Sequence, residues 1–125
     1  MKKTDLTYLI NVAGGNHELI LEIIDIFVIQ AEEFWNEMQD LYNNKDYDAL
    51  GKLAHKAKSS VAIMGMDALA IELKNLELLC NEGKQIELYQ DIISNFKAEC
   101  LIVIEELLEY KNNQFAKKTS SHVEH

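Results

Sequence analysis

No proline interrupts this 125-residue chain, and it holds only five glycines. Four of these, Gly14-Gly15, Gly65 and Gly83, stand between stretches of regular apolar spacing rather than inside them. Proline is the residue a helix interior tolerates least, and glycine is the usual residue just past a helix end. A chain punctuated in this way is expected to be mostly helical, broken at its glycines and at the polar stretch Asn43-Asn44-Lys45.

The segments between these breaks carry helical periods. Asp5 is expected to cap a short helix bearing Leu6, Leu9 and Ile10, which is too short to stand alone and must lie on something larger. Asn16 is an N-cap signal for a second segment, in which Ile20, Ile23, Phe27, Ala31, Phe34, Met38 and Leu41 hold the period over about 27 residues with nothing that forces a bend. Asp46 or Asp48 caps the third, with Leu50, Leu53, Ala54, Ala57, Val61 and Met64 on one stripe and Gly65 at its end. Asp67 is expected to cap the fourth, with Leu69, Leu73, Leu76 and Leu79 inward and Glu72, Lys74, Asn75 and Glu77 outward. In the last segment Tyr89, Ile93, Phe96, Cys100, Val103, Leu107 and Tyr110 alternate by four and three, a heptad-like seam. Ile92, Ile104 and Leu108 widen it, which favours a bundle over a two-stranded coiled coil. The expected fold is all-α, an antiparallel four-helix bundle with a short N-terminal capping helix. It is one domain over residues 4–113, followed by a disordered tail over 114–125, where the pattern stops. His122 and His125 lie in that tail, a poor cage for a metal, and no metal site is expected.

Composition narrows the function. Hydrophobic residues make up 48% and charged residues 26% of the chain, the balance of a globular domain able to bury a core without metal or disulfide staples. Cys80 and Cys100 both fall in apolar helical patterns without metal-type spacing, as expected of reduced core cysteines in an intracellular, cytoplasmic protein. The start, Met1-Lys2-Lys3-Thr4-Asp5, has no apolar signal region, and no apolar run is long enough to span a membrane. A net charge of −9 argues against nucleic acid and anionic membrane as partners.

One feature departs from this acidic background. Residues 51–66 contain Lys52, Lys56 and Lys58 and no acid, and the chain has no arginine at all. At about 100° per residue, His55 falls opposite the apolar stripe of its helix. Gly51, Lys52, Lys58 and Ser59 lie three or four residues from it, and Ala62 one turn further on. An imidazole on a low, cationic surface suits a group that is negatively charged for part of its life, phosphate above all, which lysine meets as a mobile point charge. Lys52 and Lys58 are the candidate phosphate neighbours by this geometry.

The run Ala54-His55-Lys56-Ala57-Lys58-Ser59-Ser60, then Met64-Gly65, then Leu69, Leu76 and Glu77, resembles the histidine phosphotransfer (HPt) domain family. Asp5-Leu6-Thr7-Tyr8-Leu9 followed by Gly14-Gly15 resembles the family's opening, and the similarity spans roughly residues 4–110. The resemblance implies that His55 is the phosphorylated residue, with Lys58 beside the phosphoryl group. It implies partners that are receiver domains of response regulators or hybrid histidine kinases, and a monomer. The family usually has glycine where this chain has Ser59, which either narrows a partner's approach or offers the phosphate a hydroxyl. Gly51, Lys56, Ala62, Leu6, Leu9 and Ile10 are the candidate docking residues.

Phosphoryl transfer has a loose transition state, so positioning and charge supply most of its catalysis. An exposed histidine and a nearby cation are then enough for a carrier that needs no cofactor, with Mg²⁺ brought by the receiver. No carboxylate follows His55 to act as a base, and no glycine-rich nucleotide loop is present, so ATP-dependent kinase activity is not expected. The competing expectation is a non-catalytic helical adaptor that binds a signalling partner through the same face. A metal-binding bundle lacks the paired Glu and His ligands that such sites take from facing helices.

Overall fold

The computed structural model describes residues 6–123, with side chains described through residue 113. Five α-helices follow one another: α1 (Leu6–Val12), α2 (His17–Asn43), α3 (Tyr47–Ile63), α4 (Asp67–Glu82) and α5 (Tyr89–Val123), with a short 3-10 turn at Ile86–Leu88 ahead of α5. No strand occurs among the described residues. The expected Asp5 cap and the side chains of His122 and His125 lie outside what is described.

Two of the expected caps form. Asn16 Oδ1 accepts from the Leu19 N–H at 3.1 Å, and Asp46 Oδ1 accepts from the Ala49 N–H at 3.2 Å. Each satisfies one of the donors that a helix start leaves orphaned. Asp48 falls instead in the first turn of α3. Asp67 is not the cap of α4: Met66 holds that position without a side-chain bond, and Asp67 is the first helical residue. Its charge there still meets the positive end of the helix dipole. Gly65 (φ +74°) and Gly83 (φ +65°) take the left-handed conformation that closes α3 and α4.

Helices α2 to α5 pack antiparallel. Between α2 and α5, Lys111 Nζ lies 2.6 Å from Asp25 Oδ1 at one end, and the amides of Gln39 and Gln90 bond each other reciprocally at 2.8 and 2.9 Å near the other. The α5 seam is buried from Tyr89 through Leu107 and the α3 stripe from Leu50 through Met64, facing Ile24, Phe27, Phe34 and Met38 of α2. Each Val, Leu, Ile, Phe or Met among them contributes about 1.5–3 kcal/mol when fully buried. Helix α1 packs on α3 and sends Leu9 into the core, and Ala13 just past its end is buried too.

Helix α5 departs from expectation at its end. The apolar seam stops at Tyr110, yet the backbone stays helical to Val123 instead of ending near Gln114. Beyond Gly83 the chain has neither glycine nor proline, so nothing in it breaks the hydrogen-bond ladder where the packing gives out.

Burial also sets the acid–base behaviour of the core. It pushes the Cys80 thiol from an ordinary 9.0 up to about 11 and the Cys100 thiol up to about 12. The Tyr89 hydroxyl, 2.8 Å from the carbonyl oxygens of Leu79 and Lys84, rises from 10.0 to about 12, again mainly through burial. The folded protein therefore holds these protons at pH values where the unfolded chain releases them. Stability is fully present below the unfolded pKa values and is lost as pH rises through the folded ones. The urea midpoint is expected to be unaffected by these groups up to about pH 9 and to fall above it. A midpoint flat to pH 11 would show that these groups are not buried as described.

Candidate functional site

His55 stands midway along α3, with its side chain 62% exposed. Its Nδ1 lies 3.0 Å from Glu77 Oε2 and 3.1 Å from Oε1, across the α3–α4 junction. The sequence reading counts Glu77 among the residues available for the outer surface; it instead meets the ring from α4, while no carboxylate follows His55 directly in the chain. The acid comes from the neighbouring helix, 22 residues along the chain. A carboxylate accepts, so the ring donates through Nδ1–H. In the neutral ring this places the proton on Nδ1 and the lone pair on Nε2.

Gly51 was expected to offer a partner an open surface. It is buried instead, packed against α4. A Cβ placed there would come within 2.9 Å of Cys80 Cβ and 3.5 Å of the Glu77 carbonyl oxygen and Asn81 Oδ1. Glycine one helical turn before His55 thus lets α4 lie near enough for Glu77 to reach the ring. Leu9 is also withdrawn from the docking set, since it lies fully inside the core. Its neighbours fare differently: Leu6 is half-buried and Ile10 exposed.

The lysines separate by environment. Lys52 Nζ pairs with Asp48 at 3.3 Å, one turn back toward the start of α3, with both side chains 78% exposed. So exposed a pair is a weak tether. Lys58, one turn beyond His55, is half-buried, and Lys56 is exposed. Among the described residues no carboxylate pairs with either. Ser59 is exposed and Ala62 half-buried on the next turn. Toward α2, a shallow apolar groove runs beside Ile26, Phe27, Ile63 and Met64, bridged by a 3.3 Å bond from Ser60 Oγ to Gln30 Oε1. Nothing in the sequence reading anticipated this groove, although Ile26 and Ile63 are exposed apolar residues on facing helices.

The bundle sets the exposed imidazole of His55 against the Glu77 carboxylate of the next helix, with Lys52, Lys56 and Lys58 on the same helix as the ring. The chain belongs to the Hpt domain family, which it matches over residues 22–112. With that membership goes a phosphotransfer role in two-component signalling, in which proteins of the family interact with response-regulator receiver domains. The fold is shared with histidine-containing phosphotransfer protein B (HptB) from Pseudomonas aeruginosa PAO1, at a TM-score of 0.82 and 22% sequence identity over 89% of this chain and 96% of that one. No curated protein sequence gives a match. No helix among the described residues is long and apolar enough to cross a membrane.

Proposed function

We propose that this protein is a phosphorelay intermediate: Nε2 of His55 takes a phosphoryl group from a receiver-domain aspartate and passes it to a second receiver. The observation that carries this reading is the 3.0 Å contact of Glu77 on Nδ1 behind a ring that is 62% exposed. In the forward step Nε2 attacks phosphorus in line. The N–P bond forms, the aspartyl O–P bond breaks, and the electron pair leaves on the aspartate carboxylate. The proton on Nδ1 stays where it is, hydrogen-bonded to Glu77, whose charge offsets that of the phosphorylated ring. No proton has to enter or leave, so the same geometry serves the return transfer. Lys58 sits one turn away to neutralise the phosphoryl oxygens, Ser59 offers a hydroxyl, and exposed Lys52 lies close enough along the helix to contribute at longer range. Lys56, Ala62, Leu6 and Ile10, with the α2–α3 groove, form the surface around it. The receiver brings the aspartate and Mg²⁺.

The test is transfer of labelled phosphate from a phosphorylated receiver domain to this chain, with acid-labile label expected on His55. Glu77 gives the finer prediction. Glu77→Ala removes the acceptor that orients the ring and is expected to slow transfer about tenfold, the equivalent of one hydrogen bond of about 1.4 kcal/mol. Glu77→Gln keeps an acceptor oxygen and should recover much of the rate. Ring ¹⁵N shifts should show the Nδ1–H form in wild type and a mixture of tautomers in Glu77→Ala. Equal rates for wild type and Glu77→Ala would remove Glu77 from the mechanism.

A further inference from the structure

The contact that orients His55 also bears on how long the ring keeps a phosphoryl group. Both carboxylate oxygens of Glu77 lie on Nδ1, at 3.0 and 3.1 Å, and the Glu77 side chain is only 23% exposed. A charge-assisted bond partly withdrawn from water is stronger than one at the open surface. The ring itself is 62% exposed, so water reaches a group bound to it.

The charges around the ring come from few places. Helices α4, α2 and α1 pack on α3. On α3 itself stand Lys52, paired with Asp48, and then Lys56 and Lys58. Helix α1 has no charged residue from Leu6 to Val12. Helix α2 turns Ile26, Phe27 and Gln30 toward α3, with exposed Glu33 and Glu37 further along it. Helix α4 adds exposed Lys74, one turn before Glu77. Among the described residues, Glu77 alone hydrogen-bonds the ring. The lysines oppose a positive charge on the imidazole, and Glu77 favours one.

That charge decides how readily the N–P bond breaks. In hydrolysis a water oxygen attacks phosphorus and the O–P bond forms. The N–P bond breaks, its electron pair returns to Nε2, and the protons of the water leave with the phosphate. With Nδ1 protonated, the ring departs as neutral imidazole. With Nδ1 bare, it would depart as imidazolate, a far more basic anion and a poorer leaving group.

We propose that Glu77 keeps Nδ1 protonated once His55 is phosphorylated and thereby sets the lifetime of the phosphohistidine. The carrier then loses to water any phosphoryl group that no receiver claims. This rests on the relay reading in placing the phosphoryl group on Nε2. Glu77 is a positioning residue here, since it holds the proton and does not touch phosphorus. In acid, solvent protonates Nδ1 with or without Glu77, so the effect vanishes there. As pH rises, a ring without the carboxylate loses its proton first, and its N–P bond becomes the longer-lived.

Glu77→Gln separates charge from orientation, because its amide oxygen still accepts from Nδ1–H but brings no negative charge. Wild type and Glu77→Gln are phosphorylated with phosphoramidate, a small donor that needs no receiver. Loss of the phosphohistidine signal is followed by ³¹P NMR from about pH 5 to about pH 9. The half-lives are expected to coincide at the acid end. At about pH 8 that of Glu77→Gln should be about fivefold longer, the scale of one partly exposed ion pair. The control Glu82→Gln removes an exposed carboxylate of α4 that pairs with Lys84 at 3.4 Å, and should follow wild type throughout. Half-lives of Glu77→Gln equal to or shorter than those of wild type at every pH overturn the proposal. So does a lengthening that persists undiminished in acid, the mark of altered water access. An equal lengthening in Glu82→Gln overturns it as an effect of overall charge. Lifetimes as expected in a protein that no phosphorylated receiver labels remove the relay reading and leave this inference standing. A receiver that labels His55 while the lifetimes stay equal removes this inference alone.

Discussion

His55→Gln is expected to reduce acid-labile phosphate on this protein to background in the receiver transfer assay. Glutamine has no nucleophilic ring nitrogen, so the N–P bond cannot form and the loss is total rather than graded. Its amide N–H can still donate to Glu77, which keeps the α3–α4 surface occupied and separates lost chemistry from lost fold. Since His55 is exposed, the helical circular dichroism and urea midpoint should stay close to wild type. His17, the other histidine whose side chain is described, is exposed on the first turn of α2, far along the chain from the lysine cluster. Label that persists at wild-type level in His55→Gln would place the accepting group elsewhere and end the relay reading.

Gly51→Ala should produce the largest loss of stability for the smallest change in volume. Two effects oppose each other. Alanine is the better helix former by about 0.5–1 kcal/mol. Against this, the added carbon would meet Cys80 Cβ at 2.9 Å, the root of a side chain rather than its flexible end. Overpacking of this kind costs about 1–3 kcal/mol, because either the helices part or the side chains leave their rotamers. The steric effect wins, and a net loss of about 1–2 kcal/mol in urea unfolding is expected. If α4 moves outward to relieve the contact, Glu77 moves with it, so transfer should slow as well. Cys80→Ala in the same chain keeps the offending Cβ and should give no relief, whereas Cys80→Gly should. A Gly51→Ala protein more stable than wild type would show that the helices are not packed so closely.

The helices were legible because their determinants are local. Four glycines, the caps Asn16 and Asp46, and stripes of three-four spacing fix where each helix runs and which face it buries. The seam from Tyr89 to Leu107 is buried at every position named from the sequence. What escaped was the relation between helices. Treating α3 by itself, an exposed face three or four residues from His55 includes Gly51, yet α4 covers that part of it. Glu77 was visible but was assigned to the outside for the same reason. The register of an antiparallel pair was available as a signal: His55 and Glu77 lie at similar distances on either side of the turn at Gly65, which sets them opposite one another. Leu9 was misplaced because a seven-residue helix has too few positions to show which side it buries. The run of α5 to Val123 was missed because an ended apolar pattern was taken for an ended helix.

His55, its lysines, the glycine that admits α4 and the glutamate behind the ring all come from a single hairpin of two helices. Helices α2 and α5 contribute the core on which that hairpin rests, and the ring's hydrogen-bond partner among the described residues comes from α4. Substitutions that keep the buried side filled can therefore accumulate on α5, and on α2 away from the groove it shares with α3, without altering how fast phosphate is exchanged. Distant relatives could then differ through most of their length and still handle the same chemistry.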